Sequence, residues 1–464
     1  MSAGTVRVAV VGGGLAGIAA ALRCADGGAD VVLLESRPRL GGLAGSGRRG
    51  GLDVDTGQHV FLRCCTAYRA LLDRFGATGS VTLQDRLDIP VHAPGARPSR
   101  LRRSSLPAPL HLGAALLAYR PLPPLDRLRA ASAALALRRV DRTAPASDAR
   151  DFAGWLRAHG QRPHAVAALW DLVGIATLNA RAADASLALA ATVFQEGLLT
   201  DAAAGDIGWA RVPLGHLHDD AARRALHDAG VRVRTGAPVR AITAEASGRW
   251  RVALGRTAGS GPDREETLVD RIVCAVPPGT AGHLLPPGAL DLPEGWAERL
   301  GSTPIVNVHV VYDRRVLDTP FAAAVGSPVQ WVFDRTTSSG SARVHPAGSQ
   351  YLAVSLSAAD DLVGLPVAAL RARFLPALAA LLPGACAASV LDFFVTREPH
   401  ATFRAAPGSG ALRPPSRTTV PGLAVAGAWT ATGWPATMEG AVRSGESAAA
   451  AVLHAPVTAA EVAA

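Results

Sequence analysis

The sequence predicts an α/β fold built on a parallel sheet, and three observations near its start carry the prediction. Residues 6–11 form a short β-branched apolar run suited to a buried strand. The glycine cluster Gly12-Gly13-Gly14-Leu15-Ala16-Gly17 follows without a break, and the Ala- and Leu-rich stretch 15–25 has helical character. A second apolar run, 29–34, ends at Glu35. Strand, glycine turn, helix and strand in that order make a Rossmann-type βαβ unit.

The elements beyond it fall into two textures. Residues 86–147 are rich in Pro, Arg and Leu, with 110–119 and 125–140 able to form helices; this is too apolar for a linker. Helix-like sequence continues over 151–199, and strands are expected at 231–234, 238–244, 250–254 and 271–278, with 255–266 as a hairpin tip or surface loop. Further strands are expected at 305–312 and 351–356, a final strand at 423–427 and a final helix at 437–453. The expected organisation interleaves a dinucleotide-binding domain (1–85, 205–280, 391–464) with an α+β substrate or cap domain (86–204, 281–390).

Composition narrows the function. The 464 residues, 49% of them hydrophobic, suffice for several domain-sized cores. Every one of the 47 basic side chains is arginine, because the chain has no lysine. Lysine Schiff-base chemistry and an intact Walker A loop are therefore excluded. The net charge of +9 is scattered, without the basic blocks of a nucleic-acid surface. Cys24, Cys64, Cys65, Cys274 and Cys386 show no metal-ligand spacing, so no metal site is expected, and their odd number suggests reduced thiols. No window has the apolar length of a membrane span; the expectation is a cytoplasmic protein, or one resting on a membrane without crossing it.

In the opening motif, Gly12 serves the tight turn, Gly14 lets a pyrophosphate approach the backbone and Gly17 allows close helix–strand packing, with the anion on the helix N-terminus at Leu15 and Ala16. Glu35, beside Ser36, ends the second strand where a carboxylate can accept hydrogen bonds from an adenosine ribose. Next comes Arg37-Pro38-Arg39-Leu40-Gly41-Gly42, a second glycine pair with two cations suited to a diphosphate.

With these residues the sequence resembles the amine oxidase and phytoene desaturase superfamily of FAD flavoproteins, whose pattern here is Glu-x-x-x-Arg-x-Gly-Gly. The resemblance implies FAD as resident cofactor on a GR2-like flavoprotein fold. Leu43 departs from the pattern, since many members have arginine after the glycine pair. Asp53-Val54-Asp55-Thr56-Gly57-Gln58-His59-Val60 resembles the segment that passes beside the isoalloxazine, where Gln58 and His59 would face the flavin edge or the substrate. Val239, in the run 236–242, matches the valine whose backbone meets the adenine. The stretch 422–445 resembles the element that closes over the flavin, implying contacts from Gly427, Ala428, Thr437, Met438, Glu439 and Ala441, with the final helix aiming its amides at the pyrimidine edge. Ala428 stands where many relatives have an aspartate for the ribitol.

Wording at 55–60, 177–179, 212–215 and 429–444 is similar to the squalene-associated FAD-dependent desaturase group. This implies reductive dehydroxylation of hydroxysqualene to squalene for hopanoid synthesis, and association with upstream enzymes of that route. His59 and Gln58 are the candidate polar groups at the leaving hydroxyl; Trp429 and Trp434 are either an aromatic wall or core packing. Carotenoid-type desaturation of another polyprenoid, amine oxidation and a non-enzymatic flavin-binding scaffold are the alternatives. The resemblance also implies that amine oxidases of this fold commonly place a lysine near flavin N5, and this chain has none. A polyprenoid lipid substrate enters from a bilayer, so residues 86–145 are expected either to dock peripherally on the inner face of the plasma membrane or to cap the pocket.

Overall fold

The computed structural model describes residues 5–255 and 266–454. The loop expected at 255–266 lies, but for its two ends, outside the described residues. The first sheet has five parallel strands in the order Arg232–Arg234, Asp30–Leu34, Arg7–Val11, Arg271–Cys274 and Leu423–Val425. Its central strands are apolar and buried on both faces, as a parallel sheet covered by helices requires. Helix Leu15–Asp26 and the final helix, Met438–Leu453, pack together across this sheet. A methyl group on Gly445 would lie 2.1 Å from the Ala16 carbonyl oxygen, so the two helices meet backbone to backbone.

The second sheet has seven strands in the order Val390–Phe403, Ser302–Tyr312, Gln350–Leu356, Trp331–Asp334, Phe321–Ala324, Asp88–His92 and Ser99–Arg102. Val306, Val308 and Val310 pack on Leu370, Phe374 and Leu378 of helix Val367–Leu381. The alternate residues of that strand look the other way, Val311 packing with Leu52 and Val54 of the hairpin Ser46–Arg49/Leu52–Asp55. A small antiparallel sheet, Val60–Leu62, Ile207–Ala210 and Val81–Leu83, joins the cofactor side to the substrate side.

Two placements depart from the sequence reading. Strand Val390–Phe403 continues the second sheet well past residue 390, where the substrate domain was expected to end. A register shift between Thr303 and Ile305 accommodates Pro399 within this strand. The stretch 86–147 contributes a β-hairpin, Asp88–His92 with Ser99–Arg102, besides short helix Gly113–Leu117 and helix Pro124–Leu137. All five cysteines are free, and burial raises the Cys24 and Cys274 thiols to about 12, leaving them inert packing groups. Among the described residues no helix is long and apolar enough to cross a membrane.

Candidate active site

The first strand ends at Gly12, whose φ is +108° and whose Cβ would lie 2.4 Å from the Ala275 carbonyl oxygen. At Gly17 a Cβ would lie 1.9 Å from the Gly12 oxygen. Neither position admits a side chain. Gly14 differs: a Cβ there would meet only the Gly42 Cα, at 4.0 Å, so its outer side is open. Gly14 caps the helix with no side-chain bond, which leaves the amides of Leu15, Ala16 and Gly17 without intrahelical acceptors. Gly41 donates its N–H to the Gly13 oxygen at 2.9 Å, so the two glycine pairs form one floor.

The buried Glu35 carboxylate accepts from the Gly13 amide at 2.7 Å, the Arg37 amide at 2.7 Å and Ser36 Oγ at 3.1 Å. A carboxylate retains lone pairs beyond these for a ribose hydroxyl. The amides of Gly236 and Ala237 donate to the Arg37 and Glu35 carbonyls, bringing the segment of Val239 beside this corner. Arg37 and Leu43 are exposed, whereas Arg39 turns a guanidinium N–H onto the Ser46 carbonyl. An open glycine floor, three aligned amides and a fixed carboxylate fit the diphosphate and ribose of FAD.

The segment after this corner is anchored by Asp55. Its Oδ1 accepts from Ser46 Oγ at 2.6 Å and the Leu214 amide at 3.0 Å, while Oδ2 pairs with Arg335. Gln58 Oε1 and Asn307 Oδ1 are buried with no protein partner. An orphaned acceptor costs about 1–3 kcal/mol, and Gln58 Oε1 lies in the segment expected to meet the flavin, whose ring N–H is a suitable donor. His59 Nδ1 is 3.1 Å from the Gly57 carbonyl, which can only accept, so Nδ1 carries the proton and Nε2 is an acceptor. Protein atoms packed around its ring lower its pKa, with the Gly57 carbonyl and Asp55 opposing, so the imidazole is neutral at pH 7.

His218 is a residue the sequence reading passed over. It is fully buried in the helical turn His216–Ala221, donates from Nδ1 to the Ala44 carbonyl at 2.6 Å and accepts at Nε2 from Tyr68 Oη at 2.9 Å. Burial brings its pKa down to about 4, the Ala44 bond opposing and a charge on nearby His59 adding to the shift. It is a neutral strut between the glycine floor and helix Thr66–Arg74. Its signal was the quoted run 212–215, which stops just short of it.

The C-terminal element is held by a second unforeseen residue. Arg413 is buried and donates to the carbonyls of Ala428, Trp429, Thr430 and Trp434 at 3.3, 3.3, 2.6 and 2.7 Å, with Phe403 under its guanidinium at 4.5 Å. Burial lowers its pKa to about 10, and it stays charged at neutral pH. One cation thus gathers the loop between the last strand and the last helix. Gly427, with φ +148°, donates its amide to Ser444 Oγ at 2.9 Å.

Thr437 caps the final helix by accepting from the Gly440 amide at 3.1 Å, leaving the Met438 and Glu439 amides without intrahelical acceptors. The Ala441 amide is taken by the Thr437 carbonyl. The Glu439 side chain is taken up by protein partners: it accepts from the Ala67 and Tyr68 amides at 3.1 and 2.8 Å and from Arg443 at 2.7 Å. It caps the helix Thr66–Arg74, whose first-turn amides attract a carboxylate. Trp429 stacks on Trp296 at 5.2 Å and donates to the Val276 carbonyl at 3.0 Å, so it packs the loop from beneath. Trp434 is half-buried with Arg443 over its ring at 5.2 Å.

A second group of aromatic side chains, forming a wall between two sheets, packs beside the His59 segment. Trp209 pairs across the small sheet with Val60, next to His59, and its ring meets Phe321 at 5.5 Å. Phe321 meets Trp331 and Phe333, each at 6.1 Å. These rings pack with the buried Leu87, Val91 and Tyr119, so an aromatic and apolar core runs from the His59 segment toward the helices of the cap.

A model of the family described as flavin containing amine oxidoreductase matches residues 15–453. The chain is 30% identical to hydroxysqualene dehydroxylase of Rhodopseudomonas palustris over 97% of its own length and 98% of that protein. It is 26% identical to zeta-carotene desaturase of Synechocystis, over 97% of each. Among solved structures, putrescine oxidase superposes with a TM-score of 0.66 at 20% identity, covering 96% of this chain and 98% of that one, a likeness of fold. The chain belongs to the flavin containing amine oxidoreductase family and is an FAD-dependent oxidoreductase.

Proposed function

We propose that the protein converts hydroxysqualene to squalene by reductive dehydroxylation. The observation that carries this reading is the near full-length likeness to hydroxysqualene dehydroxylase. The wall from Trp209 to Phe333 supports it, because four aromatic side chains without a carboxylate among them suit a polyprenoid and not an amine. Zeta-carotene desaturation is the second reading, favoured by the Synechocystis relative, and shares the same lipid wall.

Bound FAD, reduced, supplies the hydride that replaces the hydroxyl. The allylic C–O bond breaks, the hydroxyl leaves as water after taking one proton, and the carbon accepts the hydride. In this reading the Gln58 amide N–H donates to the leaving oxygen, and His59, when protonated at Nε2, is the source of the proton that the hydroxyl takes. His59 delivers a proton only as the imidazolium, so the single-turnover rate rises as pH falls toward its lowered pKa. His59→Gln should lose about a hundredfold in that rate together with its pH dependence. A His59 variant with the wild-type rate and profile removes this residue from the chemistry.

The substrate reading is tested by anaerobic incubation of the reduced holoprotein with hydroxysqualene, and of the oxidised holoprotein with zeta-carotene, phytoene or a polyamine. Squalene from the first arm alone is expected. A desaturated carotenoid or an aldehyde in its place would overturn the assignment.

A further inference from the structure

Among the described residues, twelve large hydrophobic side chains are exposed, and the six that are more than half exposed all lie in one segment of the cap. They are Leu106, Leu110, Leu117, Leu125, Leu128 and Leu135, at 51–62%. On helix Pro124–Leu137 three of the four leucines, Leu125, Leu128 and Leu135, share the outer face, where a soluble amphipathic helix is polar, while Asp126, Ala130, Ala133 and Leu137 are buried on the inner one. Helix Gly113–Leu117 packs against it, and Arg127 bonds the Leu117 and Leu122 carbonyls, which fixes the outer leucines of the two helices relative to each other. Leu116, the neighbour of Leu117, turns inward instead.

The charge around these leucines has one sign. Residues 104–140 contain five arginines and a single acid, Asp126, which is buried and paired with Arg129. Arg120, Arg138 and Arg139 are exposed and, among the described residues, have no carboxylate partner. We infer that this face docks on the surface of an anionic bilayer, the leucines entering the acyl boundary and the three free guanidinium groups meeting lipid phosphates. A second copy of the chain fits less well, because an isologous contact brings the same arginines against each other. The inner side of these helices contributes Tyr119, Leu122 and Ala130 to the cluster that holds Phe321 and Phe333. A docked cap therefore stands between lipid and the aromatic wall. The inference holds whichever lipid, if any, is the substrate.

The test is flotation of the full-length holoprotein with phosphatidylcholine vesicles, and with vesicles containing about one-third phosphatidylglycerol. Wild type is expected to float with the anionic vesicles and to lose most of that binding in high salt. The quadruple variant Leu117→Gln, Leu125→Gln, Leu128→Gln, Leu135→Gln should lose at least about tenfold in partitioning to either vesicle. The triple variant Arg120→Gln, Arg138→Gln, Arg139→Gln should reduce the preference for anionic vesicles by about a hundredfold. Flavin absorbance equal to wild type shows that each variant is folded. Wild type that floats with neither vesicle, or a quadruple variant that floats like wild type, overturns the inference. A leucine-dependent dimer in light scattering, without flotation, overturns it in favour of self-association.

Discussion

Gly12, Gly17 and Gly445 leave no room for a methyl group, whereas the wall from Trp209 to Phe333 consists of side chains whose rings meet at 5.5 to 6.3 Å. The cofactor floor is a backbone device, in which turn, helix end and neighbouring helix are set within tenths of an ångström. The wall is a packed cluster of side chains shared by the small antiparallel sheet and the seven-stranded sheet. Substitutions in the floor should therefore act on folding and flavin retention together, and substitutions in the wall on substrate alone.

The widest separation is expected from Gly17→Ala. Its methyl would overlap the Gly12 oxygen, so the loss should reach about 5 kcal/mol, read as failure to accumulate folded, flavin-containing protein. A folded Gly17→Ala holoprotein would break the comparison at its stronger end. Arg413→Met comes next, because four carbonyls lose a buried cation: about 3–5 kcal/mol in denaturant unfolding, with flavin released early.

Acid should also act on the floor. The buried His218 has its folded pKa lowered to about 4 from an ordinary 6.5, so the unfolded chain binds the proton more readily. Its contribution is fully present above about pH 6.5 and is lost as pH falls toward 4, by roughly 3 kcal/mol. Urea unfolding across that range should show the decline, and His218→Gln should reduce it. His309 adds to the decline from the same upper limit and carries it on to about pH 3, since burial and the charges of Arg335 and Arg49 bring its pKa to about 3, so the His218 variant should show a shallower decline and not a flat line. The smallest effect belongs to the wall: Trp209→Leu should raise KM for the proposed substrate, hydroxysqualene, about tenfold with flavin content and unfolding midpoint nearly unchanged. Parallel losses in flavin content and KM would show that wall and floor are one unit.

What the sequence made legible was local. Gly12 and Gly17 declare themselves because the positive φ of the one and the backbone contact of the other can be met by glycine alone, Gly14 by its place in the motif, and Glu35 follows from strand length. The final helix was readable from small residues over 437–453, and the strands 305–312 and 351–356 from their β-branched runs. Partners remote in sequence were not. The Glu439 side chain caps a helix end at Thr66, a partner more than 370 positions away that its place in the final helix does not announce. Arg413 is one arginine among many until the loop folds back over it. His218 looks like a surface residue beside His216 and Asp219, and only the approach of Tyr68 and Ala44 buries it.

The central claim is that reducing equivalents on the bound flavin pass to hydroxysqualene. Stopped-flow mixing of the anaerobically reduced holoprotein with excess hydroxysqualene tests it most directly, with flavin absorbance followed in the same reaction that is quenched for squalene. The account predicts full return of the oxidised flavin spectrum with one squalene formed per flavin, at matching rates. Flavin that stays reduced while hydroxysqualene is recovered intact would contradict it.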